Sequence, residues 1–173
     1  ELVPEDPKKR DGREIQYALI EEATKYFFNE RESNTEVSAY VLGRGVNVQS
    51  IHAWRIGYAK DEWRALKQHL IAKGYTEDQI FKAGLIKHAD GGKESYDVFR
   101  DRIMFPIFDP SGRVVAFSGR TMKKEDGVPK YVNSPETELF QKSEILYGYD
   151  KAKQGIRHYD FSLLVEGYMK SSL

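Results

Sequence analysis

The first part of the chain has apolar residues at helical spacing. An apolar residue recurs every four positions at Ile15, Leu19, Ala23 and Phe27. This period predicts an amphipathic helix over about 14–32, preceded by a charged, proline-containing linker at 1–13. Shorter helices are predicted at 35–42, before Gly43-Arg44-Gly45, and at about 47–53.

A brief strand and two more helices are predicted next. Arg55 to Ala59 has the character of a strand. Residues 61–73 are helical in pattern, with one apolar side formed by Trp63, Leu66, Leu70 and Ile71. Thr76 and Gln79 have the spacing of a capping box, which predicts a helix from there to about Ala83.

The pattern becomes that of strands after Gly84. A strand is predicted at 85–88, followed by a turn at 90–92. The segment 102–118 should form a hairpin, because Asp109-Pro110-Ser111-Gly112 has proline and glycine where a type I turn prefers them.

The last third of the chain is less regular. Residues 121–144 are polar and predict loops, 145–155 predict a short helix, and 163–165 predict an apolar strand. Taken together, the elements predict an α+β (mixed α/β) fold with N-terminal helices and a small, mostly antiparallel sheet.

Composition is that of a globular protein without disulfides. Hydrophobic residues make up 40% and charged residues 31% of the 173 positions, enough for a core. There is no cysteine, which excludes disulfides and cysteine-ligated zinc here. Apolar runs are shorter than the roughly 18 residues of a membrane span, and no secretory signal is present, so we expect a soluble, cytoplasmic protein. The missing initial Met indicates an excised piece of a longer protein.

Charge is balanced overall but unevenly placed. The 27 basic and 27 acidic residues cancel, which argues against a basic coat for nucleic acid but leaves room for a local groove. Cations are concentrated at Arg100, Arg102, Arg113, Arg120, Lys123, Lys124, Lys130 and Lys142. Between them lie Tyr96, Phe99, Phe105, Phe117, Tyr131 and Phe140.

This mixture of cations and rings has two interpretations. In a strand-tracking groove, cations neutralise phosphates and rings stack on bases. Alternatively, the cations form a solvated sheet face and the rings belong to the core, which composition alone favours. Ser118-Gly119-Arg120 and the polar stretch 129–137 support the groove, because glycine allows close approach and arginine offers a planar fork for phosphate.

A third feature is a carboxylate after an apolar strand, at Val165-Glu166-Gly167. Active sites of α/β folds lie at the carboxyl edge of the sheet. Glu166 there could act as a general acid or base, or help to bind Mg²⁺, although a strand-ending glutamate is more often simply solvated.

Four blocks resemble the catalytic core of bacterial-type replicative DNA primases. They are Arg100–Ile107, Gly112–Arg120, Lys130–Thr137 continuing through Phe140-Gln141-Lys142 to Gly148, and Leu164–Met169. Tyr40–Gly45 and Ile56–Ala59 also match, so the resemblance runs from about residue 14 through nearly the whole chain.

The resemblance implies an enzyme that joins ribonucleotides into short RNA primers on a single-stranded DNA template. Residues 14–160 would be the N-terminal subdomain of the core, and 161–173 the first strand of a truncated toprim-type α/β subdomain. Template or nucleotide would contact Arg44, Arg120, Lys130, Tyr131, Asn133 and Lys142, with Arg100 and Arg102 as further groove candidates. Glu166 would be the toprim glutamate, a catalytic base or metal ligand whose companion ligands lie outside this chain.

The same resemblance implies cofactors and partners. The parent protein would need Mg²⁺ or Mn²⁺, and would bind zinc only in an N-terminal module that this chain lacks. Its partners would be the single-stranded DNA template, ribonucleoside triphosphates, the RNA primer and, through an absent C-terminal region, a replicative helicase; no membrane is implied.

Departures from the family leave alternatives open. Lys170–Leu173 replaces the aspartate and apolar residues that usually follow, which indicates an added tail or a divergent relative. Without the aspartates we expect the chain alone to be inactive. The parent could also be a phage or mobile-element primase, or a catalytically decayed relative that only binds single-stranded DNA.

Overall fold

The computed structural model describes residues 7–123 and 127–165. The helices are α1 Pro7–Glu32, α2 Thr35–Gly43, α3 Val48–Trp54, α4 Ala65–Ala72, α5 Glu77–Lys82 and α6 Tyr149–Tyr159. The strands are β1 Gly57–Ala59, β2 Ile86–Lys87, β3 Tyr96–Asp97, β4 Arg102–Phe108, β5 Val114–Thr121 and β6 Tyr131–Asn133. A short 3-10 turn covers Asp90–Gly92. None of these helices is long and apolar enough to cross a membrane.

The predicted hairpin is the centre of an antiparallel sheet. Strands are ordered β1-β4-β5-β6, and β2 and β3 form a separate antiparallel pair. At the hairpin turn, the amide of Gly112 donates to the carbonyl oxygen of Asp109 at 2.9 Å. β5 continues past the predicted end to Thr121, because its last residues pair with β6 as well as with β4.

Helices cover both faces of this sheet. One face carries Met104 and Phe117, which belong to a buried cluster with Leu19 and Phe27 of α1 and Leu70 of α4. The opposite face carries Ile103 and Phe105, which are buried with residues of α2 and α3. The mixed helix and sheet fold with a small antiparallel sheet is therefore confirmed.

Helix α1 begins at Pro7 and continues through residues that the pattern assigned to a linker. Proline suits the first helical turn, but the polar residues that follow it carry no apolar period, so no amphipathic pattern indicated this part of the helix. Further along, α1 crosses β1 closely. A Cβ atom on Gly57 would lie 2.6 Å from the backbone carbon of Phe27, so only glycine allows this crossing.

Helix α4 starts later than predicted, at Ala65 rather than Asp61. The prediction of one apolar helix side was wrong for Trp63 and Ile71, which are 61% and 45% exposed, and right for Leu66 and Leu70, which are buried. The capping box of Thr76 and Gln79 at the start of α5 is confirmed.

The last third differs most from prediction. The stretch predicted as loop contains the edge strand β6, and α6 begins at Tyr149, four residues later than expected. The predicted strand at 163–165 is not formed: Leu163 is 82% exposed and no described strand pairs with it. A strand needs a neighbour to receive its backbone hydrogen bonds, and apolar character alone does not supply one. Glu166 and Lys170–Leu173 lie outside the described residues.

Candidate nucleic-acid interface

The register of the sheet places Arg120 beside Tyr131. Arg120 pairs with Ile103 on one side and with Tyr131 on the other, so the three side chains share one face. The guanidinium carbon of Arg120 lies 5.9 Å from the centre of the Tyr131 ring, and Nζ of Lys130 lies 6.0 Å from the same ring. Asn133, which pairs with Ser118, faces the same way. Four of the predicted site residues are therefore brought together.

Arg120 and Lys130 differ in access. Arg120 is 6% exposed, whereas Lys130 and Asn133 are exposed on the edge strand and the segment before it. Arg120 therefore contributes a buried positive charge beneath the exposed groups of the site. Lys130 and Asn133 are the groups that a ligand could reach without rearrangement.

Arg44 and Lys142 belong to two segments that pack against the sheet. Arg44 follows α2, with its guanidinium 5.8 Å from the Tyr40 ring, and the neighbouring Val41 is buried in one cluster with Ile103. Lys142 is exposed two residues after Phe140, which belongs to a cluster with Ala116 of β5. The segments that carry the two cations therefore pack on the Arg120 side of the sheet.

Arg102 lies on the opposite face, where it has a supporting role. Its Nη1 donates to the carbonyl oxygens of Pro129, at 2.9 Å, and Gly119, at 3.3 Å. Burial lowers the pKa of the Arg102 guanidinium, and these carbonyls offset part of that cost. The contact ties the segment before Lys130 to the sheet.

Gly119 is the residue that makes room for Arg102. A Cβ there would lie 2.9 Å from Cδ1 of Phe99 and 3.0 Å from Cδ of Arg102. The close approach inferred from Ser118-Gly119-Arg120 is thus made by the protein's own side chains.

Arg100 is stacked on an exposed indole. Its guanidinium carbon lies 4.2 Å from the centre of Trp63 and 5.1 Å from that of Tyr96, whose ring packs edge-on against Trp63. We call Trp63, Tyr96 and Arg100 the Trp63 platform. Asp101, with a left-handed φ of 48°, turns the chain between Arg100 and Arg102.

Sequence reasoning missed Trp63 as a site residue, because the helical pattern assigned it to the core. The available signal was its polar surroundings, Asp61-Glu62 before it and Arg64 after it. An exposed indole beside an arginine is a surface on which a base can stack.

Other members of the basic cluster are held by acidic residues. Arg113 pairs with Glu14 at 2.9 Å, and Lys123 pairs with Asp101 at 2.8 Å and Asp61 at 3.4 Å. Lys124 lies outside the described residues. Four of the rings are buried and belong to the core: Phe99, Phe105, Phe117 and Phe140.

The sheet gathers the remaining groups at one end. Ala59 at the end of β1 pairs with Arg102 at the start of β4, and Arg102 pairs in turn with Thr121 at the end of β5. β6 begins at this same end. Trp63 follows β1, whereas Arg100 precedes β4 and Lys130 precedes β6. All three therefore lie in segments that join the sheet at this end.

Residues 7–123 and 127–165 contain no group of three or more His, Asp or Glu side chains that could hold a metal ion. The metal ligands implied by the resemblance, Glu166 and carboxylates outside this chain, are not among these residues. The role of Glu166 stays a prediction.

Comparison with known proteins identifies a class, the DNA primases. The chain is 42% identical to the DNA primase of Clostridium acetobutylicum over 94% of its length, and 45% identical to that of Deinococcus radiodurans over 75%. Residues 25–153 match the family model described as "DNA primase catalytic core, N-terminal domain". The chain belongs to this family.

Solved structures agree with this assignment. The Aquifex aeolicus primase, with zinc-binding and RNA polymerase domains, matches with a TM-score of 0.83 and 32% identity, covering 96% of this chain and 40% of that one. The RNA polymerase domain of the Mycobacterium tuberculosis primase, solved with a double-stranded DNA oligomer bearing a 6-nucleotide overhang, matches with a TM-score of 0.82 and 30% identity, covering 90% and 49%. A primase catalytic domain bound to single-stranded DNA matches with a TM-score of 0.79 and 33% identity, covering 92% and 49%.

The chain spans about a quarter of the curated relatives that it matches, 26% of the first and 22% of the second. The activity of those whole proteins therefore concerns much more polypeptide than the part described.

Proposed function

We propose that this chain is part of a DNA primase, a DNA-directed RNA polymerase that makes short RNA primers on a single-stranded template during replication. The segment supplies the basic template groove and part of the nucleotide site. The observation that carries the proposal is the pairing of β5 with β6, which sets Lys130, Tyr131 and Asn133 beside the buried Arg120. The solved relatives that hold DNA support the same ligand.

Template binding follows from the chemistry at the end of the sheet. The exposed Lys130 there, together with Lys142, neutralises phosphates, and the counterions that are released favour binding. The Trp63 platform adds stacking, which accepts any base because every base has a π-face. A template with changing sequence needs this kind of contact.

The nucleotide site would use the face around Arg120. Arg44, Arg120, Lys130 and Lys142 are suited to the oxygens of a ribonucleoside triphosphate, because fixed cations stabilise phosphoryl charge. Asn133 can donate and accept hydrogen bonds, and Tyr131 offers a ring edge and a hydroxyl. We also propose Glu166 as a catalytic base or metal ligand, with Mg²⁺ or Mn²⁺ as the metal of the whole protein. The RNA primer and a replicative helicase are its further proposed partners.

The test is binding of a labelled oligodeoxythymidine by fluorescence anisotropy at several salt concentrations. Lys130→Ala and Lys142→Ala should each weaken binding and reduce the slope of log affinity against log salt by about 0.7. Lys82→Ala on α5 is the matched control, because the Lys82 side chain is also exposed but is paired with Asp78 at 2.6 Å. An affinity that is unchanged in both Lys130→Ala and Lys142→Ala would contradict the proposed groove.

A further inference from the structure

Asp97 is a buried acidic residue that forms hydrogen bonds with two members of the Trp63 platform, Trp63 and Arg100. It is 2% exposed on β3. Its amide donates to the carbonyl oxygen of Trp63 at 2.8 Å, and its own carbonyl accepts a hydrogen bond from Arg100. The backbone of one residue therefore fixes the chain at Trp63 and the guanidinium stacked upon it.

The carboxylate of Asp97 also holds the segment that carries Trp63. It accepts the amides of Leu66 at 2.9 Å and Lys67 at 3.0 Å, in the first turn of α4. Arg64, the residue that precedes α4, provides no side-chain cap. Asp97 consequently caps this helix from about thirty residues away and determines where it begins, two residues after Trp63.

Neighbouring contacts show that the indole depends on this arrangement. Trp63 is 61% exposed, so little apolar packing holds it. Among the described residues its ring contacts Arg100 and Tyr96; Tyr96 directly precedes Asp97 in the chain, and Arg100 follows it by three residues. Orientation of the indole thus follows from the position of β3 relative to α4, which the Asp97 hydrogen bonds set.

We propose that Asp97 is a positioning residue. It holds Trp63 and Arg100 in the arrangement on which a base of the template strand stacks. The proposal rests on the proposed function of the Trp63 platform. Asp97 does not touch the DNA. It lowers the cost of binding because the exposed indole is ordered before the strand arrives.

The experiment is a double-mutant cycle between Asp97→Asn and Trp63→Ala, with oligodeoxythymidine affinity measured by anisotropy on the whole chain. Trp63→Ala should weaken binding about tenfold, the loss of one stacked base. Asp97→Asn, which leaves one acceptor oxygen for two amides, should weaken it about fivefold when Trp63 is present and less than twofold when it is absent.

Two controls separate positioning from general loss of stability. Circular dichroism gives the folded fraction, by which each affinity is corrected. Thr76→Ala removes the capping box of α5, a comparable helix cap formed between Thr76 and Gln79, and should leave the corrected affinity unchanged. If Asp97→Asn does not fold, Asp97→Glu keeps the charge and displaces the carboxylate by one methylene, and should show the same dependence on Trp63.

The outcomes are distinct. Equal losses from Asp97→Asn with and without Trp63 would overturn the positioning role, and so would no loss in either background. If Trp63→Ala itself leaves affinity unchanged, the platform and this inference fail together. The lysine variants would still decide the remainder of the proposed groove.

Discussion

Burial decides the behaviour of Asp97 as a single residue. Desolvation raises the pKa of its carboxyl to about 6, although two α4 amides and the nearby Arg100 and Lys67 oppose the shift. The folded pKa then exceeds the unfolded value of about 3.9. Asp97 therefore contributes most to stability below pH about 4, and this contribution is lost as pH rises through about 6.

The free energy of unfolding of the native chain, relative to Asp97→Asn, should fall by about 2 kcal/mol between pH 4 and 7. Urea unfolding at half-unit pH intervals measures this difference, because the other carboxylates are common to both proteins. Parallel curves for the two proteins would show that the carboxyl of Asp97 titrates at an ordinary pKa.

Gly119 offers a second test at the residue scale. Gly119→Ala would place a Cβ within 3.0 Å of both Phe99 and Arg102, and such overpacking costs about 1–3 kcal/mol. Gly155→Ala on α6 is the matched control, because nothing lies within 4 Å of its Cβ position and alanine suits a helix better. Thermal denaturation should show a lower midpoint for the first variant and an equal or higher one for the second.

Residue chemistry was predictable where it is local. The motifs around Lys130, Tyr131 and Asn133 indicated the residues that the sheet register brings together. The exposure of Trp63 and the support given by Arg102 were not predictable, because both depend on partners more than 25 residues away, Tyr96 and Pro129.

Elements show the same division. Thr76 and Gln79 cap α5 within four residues, so that helix start could be predicted. α4 is capped by Asp97 from another strand, and its start could not. β6 is an edge strand of three residues that forms only because β5 lies beside it, and its polar sequence therefore indicated a loop.

The segment that leads into β6 gives a prediction at this scale. Arg102→Lys keeps a positive charge but loses the guanidinium, whose Nη1 donates to the carbonyl oxygens of Pro129 and Gly119. The segment should open more often, and trypsin should cleave after Lys130 at least several times faster than in the native chain. Lys25→Arg on the outer surface of α1 serves as control, and equal cleavage rates in all three proteins would show that Arg102 does not hold the segment.

Over the whole molecule, a net charge of zero conceals a separation of roles. Arg113 and Lys123 are paired with acidic residues, while Lys130 and Lys142, both predicted site residues, are exposed. Net charge could not reveal this, since it counts cations without regard to their partners. The N-terminal helices and the hairpin were predictable from apolar periods and turn residues, but the end of the sheet where the site residues gather follows from register.

Two physically different contributions to binding should therefore be separable by salt. Lysine contacts release counterions, so their removal lowers the slope of log affinity against log salt. Stacking on Trp63 releases none. Trp63→Ala should lower affinity by a similar factor at every salt concentration and leave the slope unchanged, whereas the double variant of Lys130→Ala and Lys142→Ala should reduce the slope by about 1.4 and approach native affinity at high salt. Anisotropy titrations from low to moderate salt make this comparison. A slope that changes with Trp63→Ala would mean that the indole acts by holding Arg100 on a phosphate, and the platform would then be an electrostatic contact rather than a stacking surface.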